Sequence, residues 1–343
     1  MMGLKIFGRN PEGRELEKIK NSPQYRDGSF QNQTETVVTV ENASFLQIMW
    51  RFMNKPADTK PPKKIPSVIT DLKSLDQDKA VIIWFGHSSY LIYINQKNIL
   101  VDPVFCGHAS PFSFTARSFD GTDVYSVGDF PDIDLLLLTH DHYDHLDYKT
   151  LQKLAPRVSR ICTSLGVASH LTYWGIDEDI ITEFDWWQRK KIADDMELIA
   201  APARHFSGRT FARAKTLWSS FVLRTPEHCI YIGGDSGYET HFKTIGEQYG
   251  PMDIAILECG QYDEQWPNIH MMPEQTVEAA LDLRAKMLLP VHWGKFSLSL
   301  HPWDEPIRRA LAKASELNVK ITTPKIGEPL ILGEAYPQEI WWQ

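Results

Sequence analysis

Short apolar runs separated by polar turns recur along most of the chain. Runs rich in β-branched and aromatic residues, bounded by turn-forming residues, are typical of buried strands. They predict strands at 80–85, 90–94, 98–101, 135–138, 160–163, 197–200, 217–224, 229–232, 254–257 and 287–291. Segments with helical character predict helices at 150–154, 166–174, 273–285 and 305–317. Strands interspersed with helices indicate a layered α/β protein.

The first part of the chain has a different pattern. It is polar, has a turn-rich stretch at 21–33, and ends in a segment rich in proline and lysine at 55–66. We predict that residues 1–78 form an N-terminal extension, helical at 12–19 and 43–53, which packs on a main domain of residues 79–343.

The composition is that of an ordinary globular protein, with 43% hydrophobic and 23% charged residues. A net charge of −8 argues against nucleic-acid binding, for which a basic surface is typical. The four cysteines lie far apart along the chain, which fits reduced thiols rather than a disulfide framework. No secretory signal and no apolar run of spanning length is evident, so we expect a cytoplasmic protein.

The most informative segment directly follows the apolar run at 135–138. From His140 to His145 the chain carries three imidazoles and two carboxylates within six residues. A buried parallel strand that ends in such a cluster delivers metal ligands to the carboxyl edge of a sheet, where α/β folds place their sites. On a tight loop, His140 and His142 can reach one cation while Asp144 and His145 reach a second. Nitrogen and carboxylate ligands without thiolate suit Zn²⁺ first, and Fe or Mn next.

Two metal ions need more ligands than one loop supplies, and three candidates follow other predicted strands. They are His205, Asp235 and His292. Glycines on both sides of Asp235 let the backbone approach an ion closely, and its carboxylate can bridge two cations. Each position alone is a weak indication, because a lone histidine after a strand is more often structural. Together with the cluster at 140–145 they form a coherent set.

At these residues the chain resembles the metallo-β-lactamase superfamily, over residues 79 to about 329. The resemblance implies an α/β fold, a four-layered αββα sandwich, here preceded by the N-terminal extension, and a binuclear metal site. By position, one metal ion would be held by His140, His142 and His205. The other would be held by Asp144, His145 and His292, with Asp235 between the two ions.

Shorter motifs resemble the N-acyl-phosphatidylethanolamine-hydrolysing phospholipase D family. They are WFGHSS at 84–89, VDPVF at 101–105, SP at 110–111, DHLD at 144–147, GDSGY at 234–238, HMMPE at 270–274 and HWG at 292–294. The ascorbate-6-phosphate lactonase group shares the Gly-His-Ser and Leu-Val-Asp-Pro elements and is the alternative. Residues 112–129 and 260–266 depart from the phospholipase pattern. The resemblance therefore specifies the chemistry more firmly than the lipid head group.

Two functions follow from this resemblance. The first is a dinuclear metal-dependent phosphodiesterase of the phospholipase D type, and the second is a lactonase or another hydrolase with the same metal chemistry. Asp144 would act through the metal centre, and His270 would contact the phosphate or the leaving oxygen. The alternative for His270 is a loop histidine that caps the following helix. Tyr262 and Trp266, in a loop expected to frame the substrate, are candidates for substrate binding.

Three further residues are candidates for supporting the ligands. Asp102 and Asp147 are expected to accept hydrogen bonds from the rings of ligand histidines, which fixes ring orientation. A strand-end turn for Asp102 and a helix cap for Asp147 are equally good interpretations. His87 either lies near the site or is structural in its Gly-His-Ser turn. The remaining histidines are expected to have solvent or core roles only: His108, His170, His228, His241 and His301.

Residues 43–64 combine an aromatic helix with several following lysines. This pattern fits peripheral contact with an anionic lipid surface. It also fits a helix that packs on the sandwich, which is the preferred interpretation, and lipid contact stays open as the alternative. The expected partner is a small-molecule or phospholipid substrate, with no nucleic acid, and a homodimer is an open alternative to a monomer.

Overall fold

The computed structural model of the protein describes residues 5–40 and 45–343. The strands are β1 (Tyr25–Arg26), β2 (Ser29–Phe30), β3 (Val81–Trp84), β4 (Tyr90–Ile94), β5 (Lys97–Val101), β6 (Leu135–Leu138), β7 (Ile161–Ser164), β8 (Ile181–Phe184), β9 (Arg189–Ala193), β10 (Met196–Ala201), β11 (Ser220–Arg224), β12 (Cys229–Ile232), β13 (Ile254–Glu258), β14 (Leu288–Val291) and β15 (Pro329–Ile331). The α-helices are α1 (Gly13–Ile19), α2 (Phe45–Met53), α3 (Tyr148–Leu154), α4 (Ala168–Tyr173), α5 (His241–Tyr249), α6 (Pro273–Asp282) and α7 (Glu305–Leu317).

Two large sheets contain most of these strands. The seven-stranded sheet has the order β15-β3-β4-β5-β6-β7-β8, and its strands from β5 to β8 are parallel neighbours. The six-stranded sheet has the order β14-β13-β12-β11-β10-β9, with β12, β13 and β14 parallel. Strands β1 and β2 form a separate hairpin in the N-terminal segment.

Successive side chains of a strand point to opposite faces of its sheet, so each sheet packs on the other sheet with one face and on helices with the other. This arrangement gives four layers. In β4, Tyr90 and Ile92 belong to the apolar core that both sheets share. Leu91 and Tyr93 point to the opposite face, since successive side chains in a strand alternate, and pack with residues of α3 and α4. The outer face of the six-stranded sheet packs in the same way on α5, α6 and α7. The predicted αββα sandwich is therefore confirmed.

Most of the predicted strands and helices form close to their expected bounds, but several elements were missed. These are β1, β2, β8, β9, β15 and α5. Strand β9 begins with the exposed residues Arg189, Lys190 and Lys191 and lies at a sheet edge, so it has no apolar run that would indicate a strand. The predicted strand at 217–224 begins only at Ser220, and the helix predicted at 273–285 ends at Asp282. Of the helix predicted at 43–53, residues 43–44 lie outside the described part of the chain.

The topology brings the carboxyl ends of several strands to one edge of the molecule. Strand β10 is antiparallel to β11, which is antiparallel to β12, so β10 and β12 run in the same direction. Their carboxyl ends therefore lie on the same side as those of β13 and β14. The loops after β6, β10, β12 and β14 carry the histidines and aspartates that the sequence indicated as ligands.

The N-terminal segment contacts the sandwich through two apolar anchors. Ile19 and Phe30 are 1% and 2% exposed, and they share a cluster with Trp218 and Leu217. The backbone N–H of Phe30 also donates to the carbonyl of Ala214 over 2.8 Å. Burying two large apolar side chains stabilises this docking by about 1.5–3 kcal/mol each.

Candidate metal centre

Asp102 organises the start of the loop that follows β6. Its Oδ1 accepts a hydrogen bond from the backbone N–H of Thr139 over 2.9 Å, and its Oδ2 accepts from the Thr139 hydroxyl over 2.6 Å. The same Oδ2 lies 2.8 Å from Nδ1 of His145. This contact fixes the His145 ring and leaves its Nε2 directed away from Asp102. The contact expected between Asp102 and a ligand histidine is therefore present.

Three imidazoles from two loops converge on one point. Nε2 of His140 lies 3.0 Å from Nδ1 of His142, and Nε2 of His205 lies 3.2 Å from the same atom. Oδ2 of Asp235 is 3.8 Å from Nε2 of both His140 and His205. Tetrahedral ligands at zinc–nitrogen distances lie about 3.4 Å from one another, so these four side chains are spaced as ligands of one cation.

A second group lies on the other side of Asp235. Oδ2 of Asp144 is 3.5 Å from Nε2 of His145 and 4.0 Å from Nε2 of His292. Asp235 also reaches this group, because its Oδ2 lies 3.1 Å from Nε2 of His145. His87 belongs here too, with its Nε2 2.9 Å from Oδ2 of Asp144. His87, Asp144, His145 and His292 each offer a ligand atom within 4.8 Å of the others.

The chemistry of these side chains fits divalent metal ions. Nε2 of His145 and Oδ1 of Asp235 are buried and form no hydrogen bond of good geometry within the described residues. Oδ2 of Asp235 and Nδ1 of His292, respectively, lie 3.1 Å from these two atoms. Buried polar atoms are almost always paired, and a cation between the groups would satisfy both. Burial, followed by the neighbouring His145, also holds the pKa of His140 well below its ordinary value. His140 is therefore neutral near pH 7, which is the form that binds metals.

Three site residues have backbone conformations that are uncommon for residues other than glycine. The φ angles of His87, Asp102 and His292 are 53°, 40° and 66°. Such conformations cost about 1–3 kcal/mol each and persist where surrounding contacts impose them. For His292 one such contact is a 2.8 Å hydrogen bond between its Nδ1 and the Ser88 hydroxyl. Backbone strain thus accumulates at the strand ends that carry the site.

His270 lies beside both groups and is held by a carboxylate that sequence reasoning missed. Its Nδ1 is 2.8 Å from Oε2 of Glu258, which is fully buried at the end of β13. The His270 ring centre is 5.1 Å from that of His205 and 5.3 Å from that of His292. Burial alone would lower the pKa of His270, but Glu258 raises it to about 9. Glu258 therefore fixes one ring nitrogen and favours the protonated form of the ring.

Asp147 caps a helix, which is the second of the two roles that the sequence left open for it. Its carboxylate accepts hydrogen bonds from the backbone N–H groups of Lys149 and Thr150, which caps the N-terminus of α3. Its hydrogen bonds within the described chain go to these residues and not to a ligand histidine. The predicted contact between Asp147 and a ligand ring is therefore replaced by a helix cap.

The two candidates for substrate contact lie in the loop after β13. The Tyr262 hydroxyl donates to Glu305 over 2.6 Å, and Tyr262 lines a cavity of about 350 Å³ together with Arg51 and Arg309. The Trp266 ring packs 6.2 Å from that of Phe52 in α2, and its Nε1 donates to a backbone carbonyl. Contact of Tyr262 and Trp266 with substrate stays a prediction.

Asp141 and His170 form a support that the sequence did not reveal. Asp141 lies between the ligand candidates His140 and His142, and its Oδ2 is 3.1 Å from Nε2 of the buried His170. Its Oδ1 accepts from the backbone N–H of Gly208 over 2.7 Å, which ties this loop to the loop after β10. His170 therefore has a specific role in holding the loop, beyond the general core role expected for it.

Exchanging Asp102 for asparagine is expected to weaken metal binding by about 10- to 100-fold, the usual cost of losing a partner of a ligand histidine. The amide keeps the shape of the side chain but can turn an N–H toward Nδ1 of His145. Chelator competition on purified protein measures the change. Asp134→Asn is a matched control, because Asp134 lies beside the amino-terminal end of β6. Wild-type affinity in Asp102→Asn would contradict this role.

Comparison with known proteins identifies the class. The family model described as the beta-lactamase superfamily domain matches residues 97–293, which is more than half of the chain. The chain therefore belongs to the metallo-β-lactamase superfamily, and the protein is a metal-dependent hydrolase of this class. Within the described residues, no helix is both long and apolar enough to cross a bilayer.

Three relatives illustrate its position in the superfamily. The chain is 36% identical over 329 residues to an uncharacterized protein of Mycobacterium tuberculosis, an alignment that covers 94% of this chain and 88% of that protein. It is 28% identical over 263 residues to N-acyl-phosphatidylethanolamine-hydrolyzing phospholipase D 1 of Caenorhabditis elegans, covering 71% and 74% of the two chains. The structure of Igni18, a metallo hydrolase from Ignicoccus hospitalis, superposes with a TM-score of 0.57 at 18% identity and covers 75% of this chain and 100% of that chain.

Proposed function

We propose that the protein is a dinuclear metal-dependent phosphodiesterase that acts on a phospholipid, in the manner that the name of its Caenorhabditis elegans relative describes. The observation that carries this proposal is the position of His270, which Glu258 holds beside both ligand groups. A phosphodiester is anionic and its charge grows at the oxygens during hydrolysis. A fixed imidazole whose protonated form Glu258 favours suits such a substrate better than a neutral lactone.

The proposed ligands divide as the sequence resemblance implied. His140, His142 and His205 would hold one ion, and Asp144, His145 and His292 the other, with Asp235 shared. Zinc is the first candidate for this set, with iron or manganese as alternatives. Two such ions, when bound, supply a Lewis-acidic centre that acidifies water and neutralises phosphoryl charge. The spacing of the ring nitrogens supports this assignment, as does the buried Asp235 carboxylate, which lies near both groups.

His270 would act through the nitrogen that Glu258 does not hold. In the protonated ring, Nδ1 donates to the Glu258 carboxylate and Nε2 carries a second proton, which it can donate to a phosphoryl or leaving oxygen. Glu258 is fixed in turn by the backbone N–H of Met271, which donates to its Oε1 over 3.0 Å. The pair therefore holds the donor in one orientation before substrate arrives, which is the condition for effective charge stabilisation.

A comparison of substrates tests the function. Purified protein of measured metal content is assayed on bis-p-nitrophenyl phosphate, on an N-acylated phosphatidylethanolamine and on a panel of lactones. We expect turnover of both diesters, and loss of that turnover after chelation. Lactone hydrolysis that exceeds diester hydrolysis by orders of magnitude would assign the protein to the lactonase alternative.

The helix α2 is the proposed site of lipid contact. One side packs on the main domain, since Arg51 lies 3.5 Å from Asp263 and Phe52 packs on Trp266. Trp50 and Met53 are 63% and 72% exposed. Exposed lysines follow at positions 60, 63 and 64. An exposed aromatic and apolar edge beside lysines fits an anionic lipid surface.

The double variant Trp50→Ala/Met53→Ala should lower hydrolysis of a phospholipid in anionic vesicles by about 10²-fold or more, since each side chain contributes about 1.5–3 kcal/mol when buried in lipid. Hydrolysis of soluble bis-p-nitrophenyl phosphate should not change. Ile69→Ala, at another exposed apolar residue, serves as the control. Equal loss on both substrates would mean that α2 supports the fold instead of lipid binding. Deleting the whole extension would not test lipid contact alone. Ile19 and Phe30 anchor the extension to the sandwich, so the deletion would also remove buried contacts.

A further inference from the structure

The first residues of the described chain contact the loop that carries most of the candidate ligands. The guanidinium of Arg209 is buried and donates to the carbonyl of Ile6 over 2.8 Å. The same group donates to the carbonyls of Asp141 and Leu146 over 2.7 and 2.8 Å, on either side of the candidate ligands between positions 142 and 145. Residues near position 6 are thus joined to both ends of this loop through one buried cation.

A second connection runs through His170. The backbone N–H of Arg9 donates to Nδ1 of His170 over 3.1 Å, and Nε2 of His170 faces Asp141. The chain fits closely here, because a Cβ atom added at Gly8 would lie 2.2 Å from Nδ1 of His170. Residues near Gly8 therefore lie against His170, the side chain that contacts Asp141 in the loop of candidate ligands.

The other end of the segment reaches His205 directly. Nδ2 of Asn32 donates to the backbone carbonyl of His205 over 2.8 Å, and the backbone N–H of His205 donates to Oδ1 of Asn32 over 3.1 Å. Nε1 of Trp218 donates to the same oxygen over 3.0 Å. One planar amide thus satisfies both backbone groups of a residue whose side chain is buried in the site.

These contacts determine where the His205 imidazole lies. Its Nδ1 is 2.8 Å from the carbonyl of Ile269, so the ring is held from one side by that loop and the backbone from the other by Asn32. Nε2 is left facing His142 and Asp235. A shift of the backbone would move Nε2 from the point where the first group of ligands meets.

We propose that Asn32 is a positioning residue for His205, and that docking of residues 5–32 and binding of the first metal ion favour each other. The inference rests on the proposed metal centre. Coupling between two binding events is reciprocal, so a segment that strengthens metal binding is itself stabilised by the metal. The extension is on this view a part of the metal centre and not only a covering of the sandwich.

Cobalt(II) titration of the full chain, with a competing chelator, tests the positioning role. Asn32→Ala should bind cobalt about 10- to 100-fold more weakly than wild type, the usual range for loss of a partner of a metal ligand. Its cobalt absorption spectrum should also change, because the His205 nitrogen is displaced. Asn32→Asp keeps the acceptor for the His205 N–H but loses the donor, and should bind with intermediate affinity.

Gln31→Ala is the matched control. Gln31 is the neighbouring amide, and its side chain donates to the Ser29 hydroxyl and not to His205. This variant should bind cobalt with wild-type affinity and spectrum. Equal weakening by Gln31→Ala and Asn32→Ala would show a general effect of the segment on folding and would overturn the specific role of Asn32.

Hydrogen exchange measures the coupling in the other direction. The N–H groups of Arg9 and Phe30 donate to His170 and to the carbonyl of Ala214 in the main domain, so their exchange reports on docking. In wild type they should exchange more slowly with metal than after chelation, and in Asn32→Ala this difference should disappear. Wild-type cobalt affinity and an unchanged spectrum in Asn32→Ala would overturn the inference. Failure of the wild-type protein itself to bind cobalt would instead overturn the proposed metal centre.

Discussion

Replacing Asp235 with alanine should release at least one of two metal ions and abolish nearly all hydrolytic activity. Oδ2 of Asp235 lies 3.1 Å from Nε2 of His145 in one group and 3.8 Å from Nε2 of His140 in the other. Without the carboxylate, two closely packed sets of imidazoles lose the negative charge between them. Elemental analysis of purified protein measures the metal content, and turnover of a phosphodiester measures the activity.

A second aspartate on the same sheet provides the control for this result. Asp253 lies directly before β13, at the edge of the six-stranded sheet opposite the site, and it accepts from the backbone N–H of Cys229 over 2.8 Å. Asp253→Ala should keep two ions and wild-type turnover per folded molecule. Two ions and full activity in Asp235→Ala would contradict the shared position of this carboxylate.

His270→Ala should keep both metal ions yet lower turnover of a phosphodiester by about 10²-fold or more. This is the scale of a lost proton donor or electrostatic contact in a site that excludes water. The metals are retained because the proposed ligand set does not include His270. Turnover at saturating substrate, together with metal content, separates this loss from a loss of ions.

The control for His270 is His228→Ala, at the turn before β12 on the far side of the sheet. This variant should have wild-type turnover and metal content. Unchanged turnover in His270→Ala at full metal occupancy would leave His270 with the structural role that its position before α6 also allows. Loss of metal from His270→Ala would make it a ligand, since it lies with Asp235 and His292 within ligand distance.

The candidate ligands could be found from the sequence because each one follows a strand directly. An apolar run ending in His, Asp or Gly-Asp is a local signal, and parallel strands place their ends together. His140, His205, Asp235 and His292 meet at one edge for this reason. The resemblance to the superfamily added the assignment of each residue to one of the two ions. A local pattern around a single strand does not give that assignment.

Apart from the contact of Asp102 with His145, the supporting contacts could not be predicted in this way. Glu258 ends an otherwise apolar strand, which is a usable signal, but its pairing with His270 depends on how a later loop folds back. Asn32 lies in a turn-rich polar stretch, and its partner His205 is distant in sequence. Asp147 fitted two roles equally well, and only the geometry of the loop before α3 separates them.

Both halves of the sandwich contribute to the proposed centre. His140 follows a strand of the seven-stranded sheet, whereas His205 and His292 follow strands of the six-stranded sheet. Ions bound as proposed would therefore act as cross-links between chain segments far apart in sequence, as a disulfide does. Such links are effective because they close long loops, whose closure costs the unfolded chain most entropy. The concentration of available metal would then set how rapidly the two sheets separate, and so the lifetime of the folded protein.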